Sequence, residues 1–213
     1  RDLAIEIAHA IDPNLEVEVL NTAKTFNEVI EQVQSGKAHI GISKLSYTQS
    51  RAKRVLYITP PYVDLKVSFL IDRLQLAKLP SNISVGEIFS KEHDQTLCVL
   101  KASSQVDSAQ FLLPHARLVY ADSADDSYEK LFSGQCTAVF YDDNEFRLKL
   151  MQNPSLNLRY KAVSLSDKGD PISIVVNSKL ELLARFISKQ FAYNAFKPRH
   201  LPTEIKKYEG FLK

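Results

Sequence analysis

The sequence predicts an α/β fold in two halves, and three observations lead to this prediction. Short apolar runs of strand length alternate with segments whose apolar residues recur at helical spacing. The order strand, helix, Ser-Gly, strand occurs twice, in residues 15–43 and again in residues 117–141. The 213 residues suffice for one large domain or two small lobes. Alternating strands and helices favour mostly parallel sheets flanked by helices, with ligands at the carboxyl ends of strands.

The first half begins with a helix, because apolar residues from Leu3 to Ile11 recur at helical spacing and Pro13 ends the pattern. The elements expected next are a strand at residues 15–19, a helix at residues 26–33, a turn at Ser35-Gly36 and a strand at residues 38–43. Together they form a strand, helix, strand unit.

The second half repeats this layout after a connecting region. The connecting region contains an extended apolar stretch at residues 64–72, a polar segment at residues 78–95 and a strand at residues 96–100. The elements expected afterwards are a strand at residues 117–120, a helix at 128–132, a turn at Ser133-Gly134, a strand at 136–141, an extended run at 172–176, a helix at 180–193 and a short helix at 204–208.

Composition excludes several classes of protein. Hydrophobic residues at 45% and charged residues at 24% are typical of an ordinary globular protein and exclude a disordered chain. A formal net charge of +2 is too small to predict a nucleic-acid partner. The longest apolar runs have the length of strands and are too short to cross a membrane. Residues 1–8 lack the pattern of an export signal, so the compartment must be inferred from other features.

Common catalytic and cofactor motifs are absent from the sequence. It contains no glycine-rich nucleotide loop, no nucleophile elbow and no paired Cys or His metal motif, so we expect neither a cofactor nor a metal. Cys98 and Cys136 are the only cysteines, and each lies in an apolar, strand-like run. We interpret them as two buried small hydrophobic residues, and a disulfide is the alternative in an oxidising compartment.

Residues 36–62 carry the most informative pattern. A strand of small and polar residues runs to Ser46 and is followed by Thr48 and Arg51, then by an aromatic residue, Thr, Pro and Tyr. This pattern resembles the signature of the family 3 periplasmic solute-binding proteins, the polar amino-acid receptors of ABC importers. The resemblance implies the two-lobed periplasmic binding protein type II fold and a periplasmic or other extracytoplasmic location. It also implies an amino-acid ligand and, as partner, a membrane permease or a fused sensor module.

The resemblance implies that Arg51 binds the α-carboxylate of the ligand, helped by Ser46 and by the backbone at Ser43 and Leu45. Arginine suits this role because its guanidinium offers two parallel donors that match a carboxylate. The residues alone leave an alternative open, in which Thr48 caps a short helix and Arg51 faces water.

The second half resembles the family as well. Residues 101–105 are similar to the family's Gly-Thr-Thr turn, which implies that Ser103, Ser104 and Gln105 offer hydroxyl and amide groups to the same carboxylate. Ala102 replaces the usual glycine, which puts a close backbone approach in doubt. As an alternative, one of the two serines is a plain helix cap.

Residues 133–142 resemble the family's pattern of a helix end, a strand and an aspartate. This resemblance implies that Asp142 accepts hydrogen bonds from the α-ammonium group of the ligand. The alternative is a carboxylate that caps the next helix, and Asp143 is the better candidate for that task. With Arg51 in one lobe and Asp142 in the other, closure of the lobes would bind both ends of a zwitterion.

The sequence departs from the family at two places. Family members begin with a strand that carries a pocket aromatic, whereas this sequence starts at the following helix, so we expect the first strand of lobe 1 to be missing. Lys44 stands where the family has a small residue. A side chain pointing inward would select an acidic ligand or obstruct the pocket; an exposed one, which we favour, would do neither.

We therefore predict a non-enzymatic solute-binding domain that captures an amino acid by hinge closure for an ABC importer. Lobe 1 comprises residues 1–72 and 173–213, and lobe 2 comprises residues 73–172. One alternative is a degenerate sensory or interaction domain of a larger protein. Another is an enzyme similar to cyclohexadienyl dehydratase, in which Asp142 or Lys44 would be the general acid.

Overall fold

The computed structural model describes residues 1–83, 85–89 and 95–193. The helices are α1 (Asp2–Ile11), α2 (Phe26–Gln34), α3 (Gln49–Ala52), α4 (Arg73–Ala77), α5 (Val85–Ile88), α6 (Ser104–Leu112), α7 (Ala124–Phe132), α8 (Asp143–Gln152), α9 (Leu156–Arg159) and α10 (Glu181–Ala192). The strands are β1 (Ile40–Ser46), β2 (Val55–Tyr57), β3 (Val63–Asp72), β4 (Thr96–Leu100), β5 (Arg117–Ala121), β6 (Ala138–Asp142) and β7 (Tyr160–Asn177). None of these described helices is long and apolar enough to cross a membrane.

The chain forms two compact units. The first combines Arg1–Asp64 with the chain from Pro171 onward, and the second is Leu65–Asp170. Both divisions fall inside long strands, β3 and β7. The lobe boundaries that we expect at 72/73 and 172/173 therefore stay a prediction about where the lobes hinge.

The first unit is built around the end of β7. Strands β1 and β2 both pair antiparallel with it, with Ile40 opposite Val176 and Tyr57 opposite Val175. Alternate residues of β7 face opposite sides of the sheet. Val176 packs in a cluster with α1 and α10, and Val175 packs in a separate cluster with α2. The helices thus cover both faces of this short sheet.

The second unit contains a sheet in the order β3-β6-β4-β5. Strand β4 pairs parallel with β5 and β6, while β3 pairs antiparallel with β6. Phe69, Leu97 and Phe140 belong to a core cluster together with Ala109 of α6. Neighbouring residues on the same strands, among them Leu70, belong to a second cluster with residues of α7 and α8.

Parallel pairing is less frequent than the sequence suggests. Among the strand pairs with a described register, two are parallel and three are antiparallel. Strands joined by a crossover helix, such as β4-α6-β5, are parallel as expected. Each antiparallel pair involves β3 or β7, the strands in which the chain passes from one unit to the other. No single crossover helix joins either strand to its antiparallel partner, so the two need not run parallel.

Several local predictions are confirmed. Helices α1 and α2 begin within a residue of the expected positions. Thr25 caps α2 by accepting a hydrogen bond from the Glu28 amide. Gly36 and Gly134 both adopt positive φ, 81° and 77°, after α2 and α7. The short helix expected at residues 204–208 lies outside the described residues.

The strand predicted at residues 15–19 is wrong. The described structure assigns no strand there, and the Leu15 amide donates instead to the Asp12 carbonyl in a turn. Leu15 and Val19 are 45% and 47% exposed. A segment of alternating polar and apolar residues forms a strand only when it can pair with the edge of another strand. None of the described strands pairs with this segment.

The interpretation of the cysteines as unpaired is also wrong. Cys98 at the centre of β4 and Cys136 just before β6 form a disulfide, with Cα atoms 5.9 Å apart. Both side chains are buried in the same cluster of the second unit. Burial and pairing thus occur together, and the disulfide fits a protein of an oxidising compartment.

Candidate functional site

The end of β1 has an irregular backbone at the residues predicted to bind a ligand. The register against β7 shifts between Gly41 and Leu45, as in a β-bulge. Lys44 lies within this shift and adopts a positive φ of 49°. A non-glycine residue seldom takes this conformation, and such residues cluster at functional sites.

Lys44 is half-buried, which corrects the expectation of an exposed side chain. Its backbone amide lies 3.3 Å from the Tyr62 hydroxyl, to which it donates. Burial raises the pKa of Tyr62, although the Lys44 amide and charge oppose that rise. The Tyr62 hydroxyl therefore stays protonated at neutral pH.

Arg51 is buried, with only 5% of its surface exposed. Thr48 caps α3 by accepting a hydrogen bond from the Arg51 amide, as the alternative interpretation required. The guanidinium does not face water, however, and that part of the alternative is wrong. Its Nη1 donates to the Ser46 carbonyl at 3.3 Å, and its carbon lies 5.9 Å from the centre of the Phe26 ring. No carboxylate among the described residues forms an ion pair with it.

Two residues of this site were not found from the sequence. Phe26, the first residue of α2, lies against the Arg51 guanidinium. The Tyr57 hydroxyl donates to the Ser46 carbonyl at 2.9 Å, so this carbonyl accepts from both Tyr57 and Arg51. The rings of Tyr57 and Tyr47 meet edge to face at 5.2 Å. Only tertiary packing joins these residues, and no local pattern predicts it.

The turn before α6 keeps the backbone shape that the resemblance implies. Ala102 has a positive φ of 56°, the conformation that a glycine would adopt without strain. Ser103 occupies the cap position, but its hydroxyl donates to the Leu100 carbonyl at 2.5 Å and caps no helix amide. The plain-cap alternative is therefore wrong for Ser103. Ser104 follows it as a buried residue at the start of α6.

Asp142 is the last residue of β6 and directly precedes α8. Its Oδ1 accepts hydrogen bonds from the amides of Asn144 and Glu145 at 3.2 and 3.3 Å. Asp142, and not Asp143, is therefore the cap, which corrects the assignment made from the sequence. Asp143 instead accepts from the Ser164 hydroxyl and pairs with Arg147. Asp142 is 5% exposed.

A small cavity of about 10 Å³, enough for about one water molecule, opens in the second unit. Of the predicted site residues, Ser104, Gln105 and Asp142 line it, whereas Ser103 does not. Its other lining residues are Val67, Ser108, Phe140, Tyr141 and Asp170. The Oε1 atom of Gln105 is buried and has no hydrogen-bond partner among the described residues. Polar side chains from α6 and from the end of β6 thus line one cavity, and their binding of a ligand stays a prediction.

The predicted site residues therefore lie near strand ends in each of the two α/β units, as in two-lobed binding proteins. Residues 3–152 match the model of the bacterial extracellular solute-binding proteins, family 3. This match covers more than half of the chain, and the chain belongs to this family. None of the curated proteins matches the sequence.

Solved structures of binding proteins share the fold. An ancestral arginine-binding protein bound to arginine has a TM-score of 0.68 at 22% identity, over 100% of this chain and 86% of that one. The amino acid ABC transporter substrate-binding protein AbpA of Streptococcus pneumoniae, bound to L-arginine, has a TM-score of 0.66 at 25% identity, over 89% and 76%. An ancestral amino acid-binding protein described as a precursor of cyclohexadienyl dehydratase has a TM-score of 0.67 at 20% identity, over 100% and 83%.

Proposed function

We propose that the protein captures an amino acid by closing its two lobes and delivers it to the permease of an ABC importer. Membership of an extracellular solute-binding family supports the general role. Solved relatives that bind arginine support an amino acid as the ligand. The buried disulfide supports a periplasmic or extracytoplasmic location.

The observation that carries the proposal is the buried guanidinium of Arg51. Taking a charge out of water is unfavourable unless an opposite charge compensates it. Among the described residues, the guanidinium of Arg51 contacts the Ser46 carbonyl and the Phe26 ring, which leaves donors for an anion. An α-carboxylate matches the fork of these donors.

Asp142 would bind the opposite end of the ligand. Its carboxylate holds α8 through one oxygen, lies almost fully buried and lines the cavity of the second unit. A fixed, buried carboxylate is suited to an α-ammonium group. In the proposed closed state, Arg51 and Asp142 bind the two charges of one zwitterion, with Ser43, Lys44, Leu45, Ser46, Ser103, Ser104 and Gln105 around it.

A thermal-shift screen against the twenty common amino acids tests the proposal. A ligand that binds only the folded state raises the melting temperature by mass action. We expect at least one amino acid to do so, and calorimetry should confirm one site. A folded protein that responds to none of them contradicts the proposal and favours a degenerate sensory or interaction domain.

The screen does not address catalysis, so turnover is measured separately. One solved relative is described as a precursor of cyclohexadienyl dehydratase, so we choose prephenate and arogenate as the substrates to assay for the enzyme alternative. We expect no turnover of either one. Turnover that is lost in Asp142→Asn would identify an enzyme instead.

A further inference from the structure

Asp143, the residue after the proposed ammonium anchor, is a buried carboxylate held from two directions. It accepts a hydrogen bond from the Ser164 hydroxyl at 3.2 Å and pairs with Arg147. A buried carboxylate needs such partners because its removal from water is unfavourable. Arg147 lies on the same helix, α8, whereas Ser164 belongs to β7. The hydrogen bond from Ser164 therefore ties the first turn of α8 to a strand that is distant in sequence.

A second hydroxyl group extends this contact into the interior. Ser68 of β3 is completely buried, and its hydroxyl donates to the Ser164 oxygen at 3.0 Å. Ser164 itself is exposed, and its own hydrogen is directed at Asp143. A hydroxyl can donate one hydrogen bond and accept others. Two hydrogen bonds thus run in one direction from Ser68 through Ser164 to Asp143, and we call this arrangement the serine chain.

The serine chain leads back to the strand from which it starts. Val67, the neighbour of Ser68, lies opposite Asp142 where β3 pairs with β6. Asp142 is in turn the residue before Asp143. Strands β3 and β7 and the start of α8 are therefore joined in a closed ring of contacts that contains Asp142. Such a ring restricts the movement of the Asp142 backbone before any ligand binds.

The direction of the Asp142 carboxylate depends on the first turn of α8. Its Oδ1 accepts hydrogen bonds from the amides of Asn144 and Glu145, which belong to that turn. A hydrogen bond weakens steeply when its angle or length departs from the preferred range. A small shift of this turn would therefore weaken any bond between Asp142 and an ammonium group. The contacts that hold the turn in place also hold the carboxylate.

We propose, on the basis of the amino-acid binding proposed above, that Ser68 and Ser164 are positioning residues for Asp142. Through Asp143 they hold the start of α8, so that the Asp142 carboxylate keeps the direction that an α-ammonium group requires. Neither serine lines the cavity that Asp142 lines, and neither binds the amino acid itself. Loss of the serine chain leaves Asp142 as the cap of α8 but allows the turn to shift, so the affinity for the amino acid falls.

Calorimetry on variants of Ser164 tests the proposal. The titrant is whichever of the twenty common amino acids raises the melting temperature of the native protein most. Ser164→Ala removes the middle of the serine chain, and we expect its affinity to fall about two- to tenfold, the range for one lost hydrogen bond. Ser164→Thr keeps the hydroxyl and suits a strand, so it should restore most of the affinity. Equal affinities of the native protein and a folded Ser164→Ala variant would overturn the proposal.

Ser127→Ala is the matched control. It also removes a serine hydroxyl from the second unit, one that donates to the Ala124 carbonyl within α7. We expect it to leave the affinity unchanged. An equal loss of affinity in Ser127→Ala would show a general effect of lost hydroxyls and would contradict the positioning role.

A double-mutant cycle tests whether Ser164 acts through Asp142. Ser164→Ala should weaken binding in the native background but hardly at all when Asp142→Asn is already present, because the charge that is positioned has gone. Equal losses in both backgrounds would contradict the proposal. Ser68→Ala removes only the first bond of the chain and takes the place of Ser164→Ala in the same cycle if that variant does not fold.

The outcomes separate this inference from the proposed function. If amino acids bind the native protein but the serine variants bind them equally well, only the inference fails. If none of the common amino acids binds a native protein with a cooperative thermal transition, the proposed function fails and the inference fails with it.

Discussion

The Arg51 guanidinium and the Ser46 carbonyl are joined by a hydrogen bond of 3.3 Å. The bond links α3 to the last residue of β1, so the helix and the strand end hold the charge in place. The guanidinium carbon lies 5.9 Å from the centre of the Phe26 ring. The Arg51 side chain is thus already ordered in the folded protein. Binding of an anion by Arg51 would therefore cost little further side-chain entropy.

Removing the Tyr57 hydroxyl should weaken ligand binding. The hydroxyl donates to the same Ser46 carbonyl at 2.9 Å and fixes its direction. We expect Tyr57→Phe to cost about 0.5–1.5 kcal/mol of binding free energy, the value of one hydrogen bond. Calorimetry with the tightest amino acid of the screen measures it. Tyr120→Phe, at an exposed position of β5, is the control, and equal losses in both variants would refute the role of Tyr57.

Substitutions of Asp142 should separate its two roles. Asparagine is as good a helix cap as aspartate, so Asp142→Asn should keep the thermal stability while ligand affinity falls about tenfold or more. Asp142→Ala should also lose about 0.5–2 kcal/mol of folding stability, because α8 loses its cap. Ser123→Ala, which removes the cap of α7, should reduce stability alone. Unchanged affinity in Asp142→Asn would leave only the capping role.

Reducing the disulfide should destabilise the protein. Cys98 and Cys136 are 38 residues apart, so the bond restricts a long loop of the unfolded chain. We expect reduction to lower the free energy of unfolding by about 2–4 kcal/mol in urea titrations. The double variant Cys98→Ala, Cys136→Ala is the control, and its midpoint should not respond to reductant. A native midpoint that is equally insensitive would mean that the bond is absent.

Acid should remove a contribution from Asp72. Burial raises its pKa, but hydrogen bonds from Arg159 at 2.9 Å and from the Leu74 amide at 2.8 Å outweigh burial and leave the pKa lowered. The charged form therefore stabilises the fold above the pKa of the unfolded chain, about 3.9, and this stabilisation is lost as the pH falls through the folded value.

The measurement compares urea unfolding of the native protein and Asp72→Asn between pH 7 and pH 2. The difference in unfolding free energy should be constant above about pH 5 and should shrink below about pH 4. Arg159→Gln should reduce the same difference. A difference that does not change with pH would show that Asp72 makes no such contribution.

Local patterns predicted most elements of the fold because they reflect local physics. Helices α1, α2 and α10 follow from apolar spacing, Thr25 caps α2, and Gly36 marks a turn that needs positive φ. The segment at residues 15–19 has the pattern of a strand, but pairing depends on a distant edge. The same limit applies to the disulfide, whose cysteines are adjacent only after β4 and β6 pair.

The candidate site was predictable only in part. The resemblance pointed to Arg51, Asp142 and the turn at Ser103, and these residues occupy the expected strand and helix ends. The contacts of Phe26 with Arg51 and of Tyr57 with Ser46 arise from packing between elements. Which carboxylate caps α8 also depended on backbone geometry, and the sequence favoured the wrong one of two adjacent aspartates.

The affinity of Arg51→Ala for the tightest amino acid of the screen tests the central claim most directly. Arg54→Ala is the matched control, because Arg54 is partly exposed and pairs with Gln34 and Glu31. The account predicts that Arg51→Ala loses about 2–5 kcal/mol of binding free energy, since it leaves a buried carboxylate unpaired, and that Arg54→Ala binds as the native protein does. Unchanged calorimetric affinity in a folded Arg51→Ala protein would contradict it.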